Sequence, residues 1–179
     1  MIRRFFFAGI FLTGQAGSAD NLKEVVAERY KPRSDAHAVQ WDYTFFGAYQ
    51  GAGLRVAYSF SSVWAYRIGG RTLYTLDTAA ASGTKYLFSL QPTSEILLRY
   101  PEIISNLWRP YFASELNLHY HLTNERYLFA FAGRSGVEFF ASQNFSVAAE
   151  IGINLPFYRN DNAPLTTGGT VSIIGGYYF

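Results

Sequence analysis

The sequence predicts an all-β protein, a closed antiparallel transmembrane β-barrel of eight strands. Three observations carry that reading. From Val39 to the C-terminus apolar and polar residues alternate with a period of two. Aromatic residues make up 18 % of the chain, with Tyr 14, Phe 16 and Trp 3, more than a small soluble core needs. The chain also opens with the layout of an export signal.

Met1, Ile2, Arg3 and Arg4 form a basic head, Phe5 to Leu12 an apolar stretch broken by Gly9, and Ala16-Gly17-Ser18-Ala19 a small-residue exit before Asp20. Residues 1–19 therefore read as a signal peptide cut after Ala19. Its removal takes Arg3 and Arg4 and no acidic residue, so the formal charge of +2 falls to zero and the pI near 8.8 overstates the basicity of the mature chain. No remaining Lys/Arg cluster tracks a nucleic-acid backbone. Cysteine is absent, which excludes disulfides and thiolate metal sites. An exported domain without disulfides must draw its stability from a core, a partner or lipid. Mean hydropathy near zero fits alternation. No stretch after Leu12 approaches the roughly 18 apolar residues of a membrane helix.

Residues 20–38 form a polar arm holding Lys23, Arg29, Lys31 and Arg33 among Glu24, Glu28 and Asp35. Either a short helix stopped by Pro32 or an unstructured segment fits it. The barrel is expected over 39–179. In Gly53–Ser61, Leu54, Val56, Tyr58 and Phe60 share one face and Arg55, Ala57 and Ser59 the other. A tight connection at Ser61-Ser62 leads to Trp64, Tyr66 and Ile68, with Arg67 opposite them. Gly69-Gly70 reads as a turn or a point of strand curvature. Arg71–Leu76 and Lys85–Gln91 are further extended segments, separated by Thr78–Gly83.

Pro92–Pro110 is least like the rest. A strand pair or two helical turns capping one end both fit it, and a strand pair would raise the count from eight to ten. Phe112–Leu122 places Phe112, Ser114, Leu116, Leu118, Tyr120 and Leu122 opposite Glu115, Asn117, His119 and His121. Glu125–Phe140 reads as a strand in two parts, with Gly133 and Gly136 permitting a bulge or strong coiling near its middle. Phe145–Phe157 alternates most cleanly, with Ser146, Ala148, Glu150, Gly152 and Asn154 on its polar side. After the polar loop Asn160–Gly169, Thr170–Phe179 alternates again.

A sheet that spans lipid must close to satisfy its backbone groups. Each strand needs about 9–11 residues, apolar outward and polar inward. Aromatic residues near strand ends, among them Trp41, Trp64, Tyr66, Tyr74, Trp108, Tyr111, Tyr127, Tyr158, Tyr177 and Tyr178, suit interfacial girdles. A soluble calyx with its apolar face inside satisfies the same alternation, so the export signal and the aromatic load decide between the two.

On the inward face, Arg55, Arg67, Glu115, Arg134, Glu138 and Glu150 are expected to form an ion-pair network across a narrow lumen, bracing the barrel and closing it to solutes. A metal site at His119 and His121 requires a third ligand from a facing strand. A hydrolase would require Ser114, a histidine and Glu138 in one place, but Ser114 lies on the opposite phase from the histidines. No glycine pair opens a nucleotide-binding motif.

Val171-Ser172-Ile173-Ile174-Gly175-Gly176-Tyr177-Tyr178-Phe179 resembles the terminal strand signal of bacterial outer-membrane barrels. Gly136-Val137-Glu138-Phe139-Phe140, with Asn144-Phe145-Ser146-Val147-Ala148-Ala149-Glu150-Ile151-Gly152, resembles the penultimate hairpin of the small OmpA/OmpX-like family. The resemblance implies residence in the outer membrane and transit with periplasmic chaperones. It also implies recognition of Tyr177 and Phe179 by the barrel-assembly machinery. The histidine–serine motif of outer-membrane lipid A deacylases is missing, since His119 is followed two places on by His121. The expectation is a monomeric structural barrel with a plugged or narrow polar lumen and no cofactor, metal or catalytic residue. A small channel or ligand-binding barrel and a lipid-modifying enzyme are the alternatives.

Overall fold

The computed structural model describes residues 37–46, 49–77, 85–104, 107–122, 125–160 and 167–179. Residues 1–19, most of the arm and the Thr78–Gly83 connection lie outside them. Eight strands follow in order: β1 (Ala38–Phe46), β2 (Tyr49–Ser59), β3 (Trp64–Asp77), β4 (Lys85–Arg99), β5 (Trp108–His121), β6 (Arg126–Phe140), β7 (Phe145–Arg159) and β8 (Gly168–Tyr178). Each is antiparallel to the next. β1 pairs with β8 from Ala38↔Tyr178 to Phe46↔Thr170, so the sheet closes on itself. Closure leaves no strand edge unpaired, which is what a β-structure needs in lipid.

The alternation sets which face is which. Ile151, Ile153, Val171 and Ile173 are 50–65 % exposed, whereas Arg55, Glu95, Glu115 and Glu150 are at most 1 % exposed. Thirty large apolar or aromatic side chains among the described residues face outward. Water would penalise so extensive an apolar surface, while hydrocarbon accepts it. The calyx arrangement, with charges outside, is not the one this chain adopts.

Pro92–Pro110 contains the second half of β4, which ends at Arg99, and the start of β5 at Trp108, so the count is eight rather than ten. Pro92 sits inside a central strand. It pairs with Gly70 of β3, but on the β5 side the ladder steps from Leu90↔Tyr120 to Thr93↔Asn117, omitting Gln91 and Pro92. A residue without an N–H therefore costs this sheet a local gap rather than ending the strand. Gly69-Gly70 likewise lies within β3, joining the segments on either side, and is no turn.

The expected break in β6 is absent, and pairing runs through Gly133↔Ile153 and Gly136↔Glu150. The irregularity falls instead at Phe129/Ala130, where Ala130 pairs Pro156 and Phe129 pairs Tyr158, leaving Phe157 as the extra residue of a bulge. Two turns near the terminal end share one construction. Ser61 Oγ accepts from the N–H of Val63 and Trp64 at 3.2 and 3.0 Å, and Ser142 Oγ from those of Asn144 and Phe145 at 3.4 and 3.1 Å. Serine supplies the missing acceptor of a tight turn in both.

Candidate functional site: the charged lumen

Each strand sends alternate side chains into the lumen, and seven of them place a charge near its centre. β1 contributes Asp42, β2 Arg55, β3 Arg67 and Arg71, β4 Glu95, β5 Glu115, β6 Arg134 and β7 Glu150. Four guanidinium groups thus face four carboxylates, and the cluster carries no net charge. Neutrality matters here, because an unpaired buried charge costs several kcal/mol.

Glu95 accepts from Arg55 Nη1 and Arg67 Nη2, with Arg71 Nη2 at 3.7 Å. Arg67 Nη2 also donates to Glu150 Oε1 at 2.6 Å, and the Tyr111 hydroxyl donates to that same oxygen at 2.7 Å. The Arg67 guanidinium lies 5.6 Å from the Tyr111 ring centroid. Arg71 donates through Nε to Asp42 Oδ2 at 2.5 Å and through Nη1 to Glu115 Oε2 at 3.1 Å. Arg134 Nη2 completes the circuit by donating to Glu115 Oε1 at 2.8 Å. β8 joins through Ser172, whose hydroxyl lies 2.8 Å from that of Thr44. Two glycines make room for these long side chains. A Cβ at Gly53 would lie 2.4 Å from Asp42 Oδ1, and one at Gly136 would lie 2.6 Å from Tyr111 Cζ.

Of the six residues singled out from sequence, Arg55, Arg67, Glu115, Arg134 and Glu150 meet in this network. Glu138 does not. It lies nearer the terminal end, where it pairs with Arg109 at 2.8 Å and accepts from Ser146 Oγ at 2.7 Å and Tyr178 Oη at 2.5 Å. Ala65, Leu97, Tyr111, Ala113, Ala148 and Ile174 form an apolar layer between the two polar clusters. Strand order shows the layering directly: Glu95, Leu97 and Arg99 follow one another inward-facing on β4, as do Ser146, Ala148 and Glu150 on β7.

Sequence reasoning missed Asp42, Arg71, Glu95 and Arg109. The signal for each was the inward phase itself: Asp42 alternates with Gln40 and Thr44, Arg71 follows Arg67 by four, and Arg109 precedes Tyr111 by two. Glu95 lay in the segment whose strand character was open. Tyr111 and Tyr178, grouped from sequence with the interfacial aromatics, instead point inward at 4 % and 2 % exposure as hydrogen-bond donors to Glu150 and Glu138. Tyr177 and Phe179 face outward.

Ser114 faces outward, away from the histidines, and Glu138 lies at the end of the lumen remote from them. His119 and His121 cap the other end of the lumen against Phe46 and Tyr49, with ring centroids 5.2 Å apart.

A closed eight-stranded barrel, apolar outside and ionic within, defines a membrane-embedded barrel of the outer-membrane type. Solved structures bear this out at the level of fold. The N-terminal β-barrel domain of Pseudomonas aeruginosa OprF superposes with a TM-score of 0.61 at 10 % identity, covering 81 % of this chain and 98 % of that one. Neisserial surface protein A gives 0.60 at 15 % identity, covering 80 % and 97 %. A de novo designed transmembrane β-barrel gives 0.50 at 15 % identity, covering 84 % and 99 %. By sequence alone, no protein-family model and no curated protein matches.

Proposed function

We propose that this protein is a sealed structural barrel of the outer membrane, closed to solutes and without enzymatic activity. The observation that carries the reading is the charge-neutral network of four arginines and four carboxylates, their side chains at most 1 % exposed, drawn across the lumen. Side chains fill a barrel of eight strands. A conducting path would have to break several of these pairs and then cross the apolar layer beneath them. The connections support a structural role over an adhesive one, since none between strands exceeds the eight residues of 100–107. In this reading residues 1–19 direct export, and Tyr177 and Phe179 present the last strand to the assembly machinery after passage with periplasmic chaperones. The folded barrel stands as a monomer in lipid.

Reconstitution into planar bilayers tests the proposal. Folded protein is expected to insert without discrete conductance steps and to release no acyl chain from outer-membrane lipid. Steady single-channel steps would replace it with the channel reading, and acyl release with the enzymatic one.

A further inference from the structure

The lumen end remote from the termini holds chemistry that the ion-pair network does not use. His119 and His121 stand two apart on β5, so both imidazoles project from the same face of one strand. Their centroids lie 5.2 Å apart with ring planes inclined by 34°. Phe46 and Tyr49 wall the His119 ring at 5.6 and 5.3 Å, and Tyr49 also touches His121 at 5.6 Å. The Ser89 hydroxyl lies 3.0 Å from His121 Nδ1 and holds that ring by its inner nitrogen.

His119 is 1 % exposed, yet its Nε2 has no hydrogen-bond partner among the described residues. A buried imidazole nitrogen left without a partner calls for an explanation, and an ion is one of the few available.

We propose that His119 and His121 form a two-imidazole site for a divalent transition-metal ion, with copper(II) held most tightly. Neutral imidazole is a ligand for copper, nickel and zinc, and affinity for a nitrogen site rises to copper along the divalent series. The Ser89 contact is the kind of outer-shell bond that fixes the orientation of a ligating histidine. The third protein ligand expected of a facing strand is absent among the described residues, which disfavours a tetrahedral zinc site and leaves a two-imidazole site suited to copper(II). Water therefore completes the coordination sphere, and the ion stays exchangeable. The site lies beyond the ionic network at the lumen end remote from the termini, so metal would reach it from that end even when the lumen is sealed.

The test is titration of the folded, detergent-solubilised protein with copper(II) alone and zinc(II) alone, with paramagnetic resonance of the copper form. Parent, His119→Gln, His121→Ala, Ser89→Ala and His37→Ala are compared, each first checked for the heat-dependent gel shift of a closed barrel. The parent and His37→Ala are expected to show copper coupled to two imidazole nitrogens and to bind zinc more weakly. His121→Ala is expected to weaken copper binding by about tenfold or more and to leave one coupled nitrogen; Ser89→Ala is expected to weaken it by about tenfold. His121 is only half-buried, so that variant decides the matter even if His119→Gln does not fold. Absence of a two-nitrogen spectrum in the parent overturns the proposal, as does a spectrum unchanged in His121→Ala.

Discussion

Replacing Glu95 with glutamine probes the lumen where its connections are densest. The substitution keeps shape and removes one negative charge, leaving four arginines facing Asp42, Glu115 and Glu150. Glu95 accepts from two guanidinium groups and lies 3.7 Å from a third. Hydrogen bonds to charged groups contribute about 1.5–3 kcal/mol each. Breaking a buried pair while its partner stays buried costs about 3–5 kcal/mol. We therefore expect Glu95→Gln to lose about 3–5 kcal/mol of stability, read as a lower urea midpoint at unchanged slope when the barrel unfolds from lipid vesicles.

The companion variant is Glu95→Gln with Arg55→Met. Arg55 has one other carboxylate, Asp42 at 3.5 Å, and Asp42 keeps its closer bond from Arg71. The double variant restores neutrality with three charges of each sign, so its loss of stability should fall short of the sum of the two single losses by about 1–3 kcal/mol. A loss below about 1 kcal/mol for Glu95→Gln is the size of a solvated pair. That result, or strict additivity in the double variant, would refute the reading of a buried, neutral network.

Three further outcomes follow from the same geometry. Tyr111→Phe removes the 2.7 Å bond to Glu150 while keeping the ring beside Arg67, and should cost about 1.5–3 kcal/mol in the same urea assay. Gly175 of β8 lies opposite Trp41 of β1 at the seam that closes the barrel, and a Cβ there would sit 2.3 Å from the indole Cε2. Gly175→Val should therefore cost about 1–3 kcal/mol, whereas an unchanged midpoint would show that the indole moves aside freely. Deleting Phe179 should lower outer-membrane yield in cells while sparing refolding into detergent, as gel shift after each route would show; equal loss by both routes would make the residue structural only.

The parts of the fold legible in sequence were those where one strand decides its own fate. β7 alternates as far as the bulge at Phe157 and β8 keeps its phase, so their inward and outward sets read directly from Phe145–Phe157 and Thr170–Phe179. β4 was obscured because Pro92 is ordinarily evidence against a central strand, and only the two flanking ladders show that the sheet tolerates the gap. The lumen residues were legible as a facing set but not as pairs. Arg67 binds Glu95 and Glu150, 28 and 83 positions away, and that choice depends on the register of several strands at once. The same limit separated Glu138 from the network: its phase is right, but its height along the axis is set by pairing with β5 and β7.

The apolar face of the barrel meets lipid and the charged face meets the interior. The chain contains no cysteine, so single-cysteine variants can be spin-labelled one at a time. Labels walked along β7 from Val147 to Ile153 in lipid vesicles, challenged with oxygen and with a water-soluble nickel chelate, measure each position's surroundings. A period of two is expected, with Val147, Ala149, Ile151 and Ile153 open to oxygen from the bilayer and Ala148, Glu150 and Gly152 shielded from it. Inversion of that phase, or chelate access at Ile151 and Ile153, would contradict it.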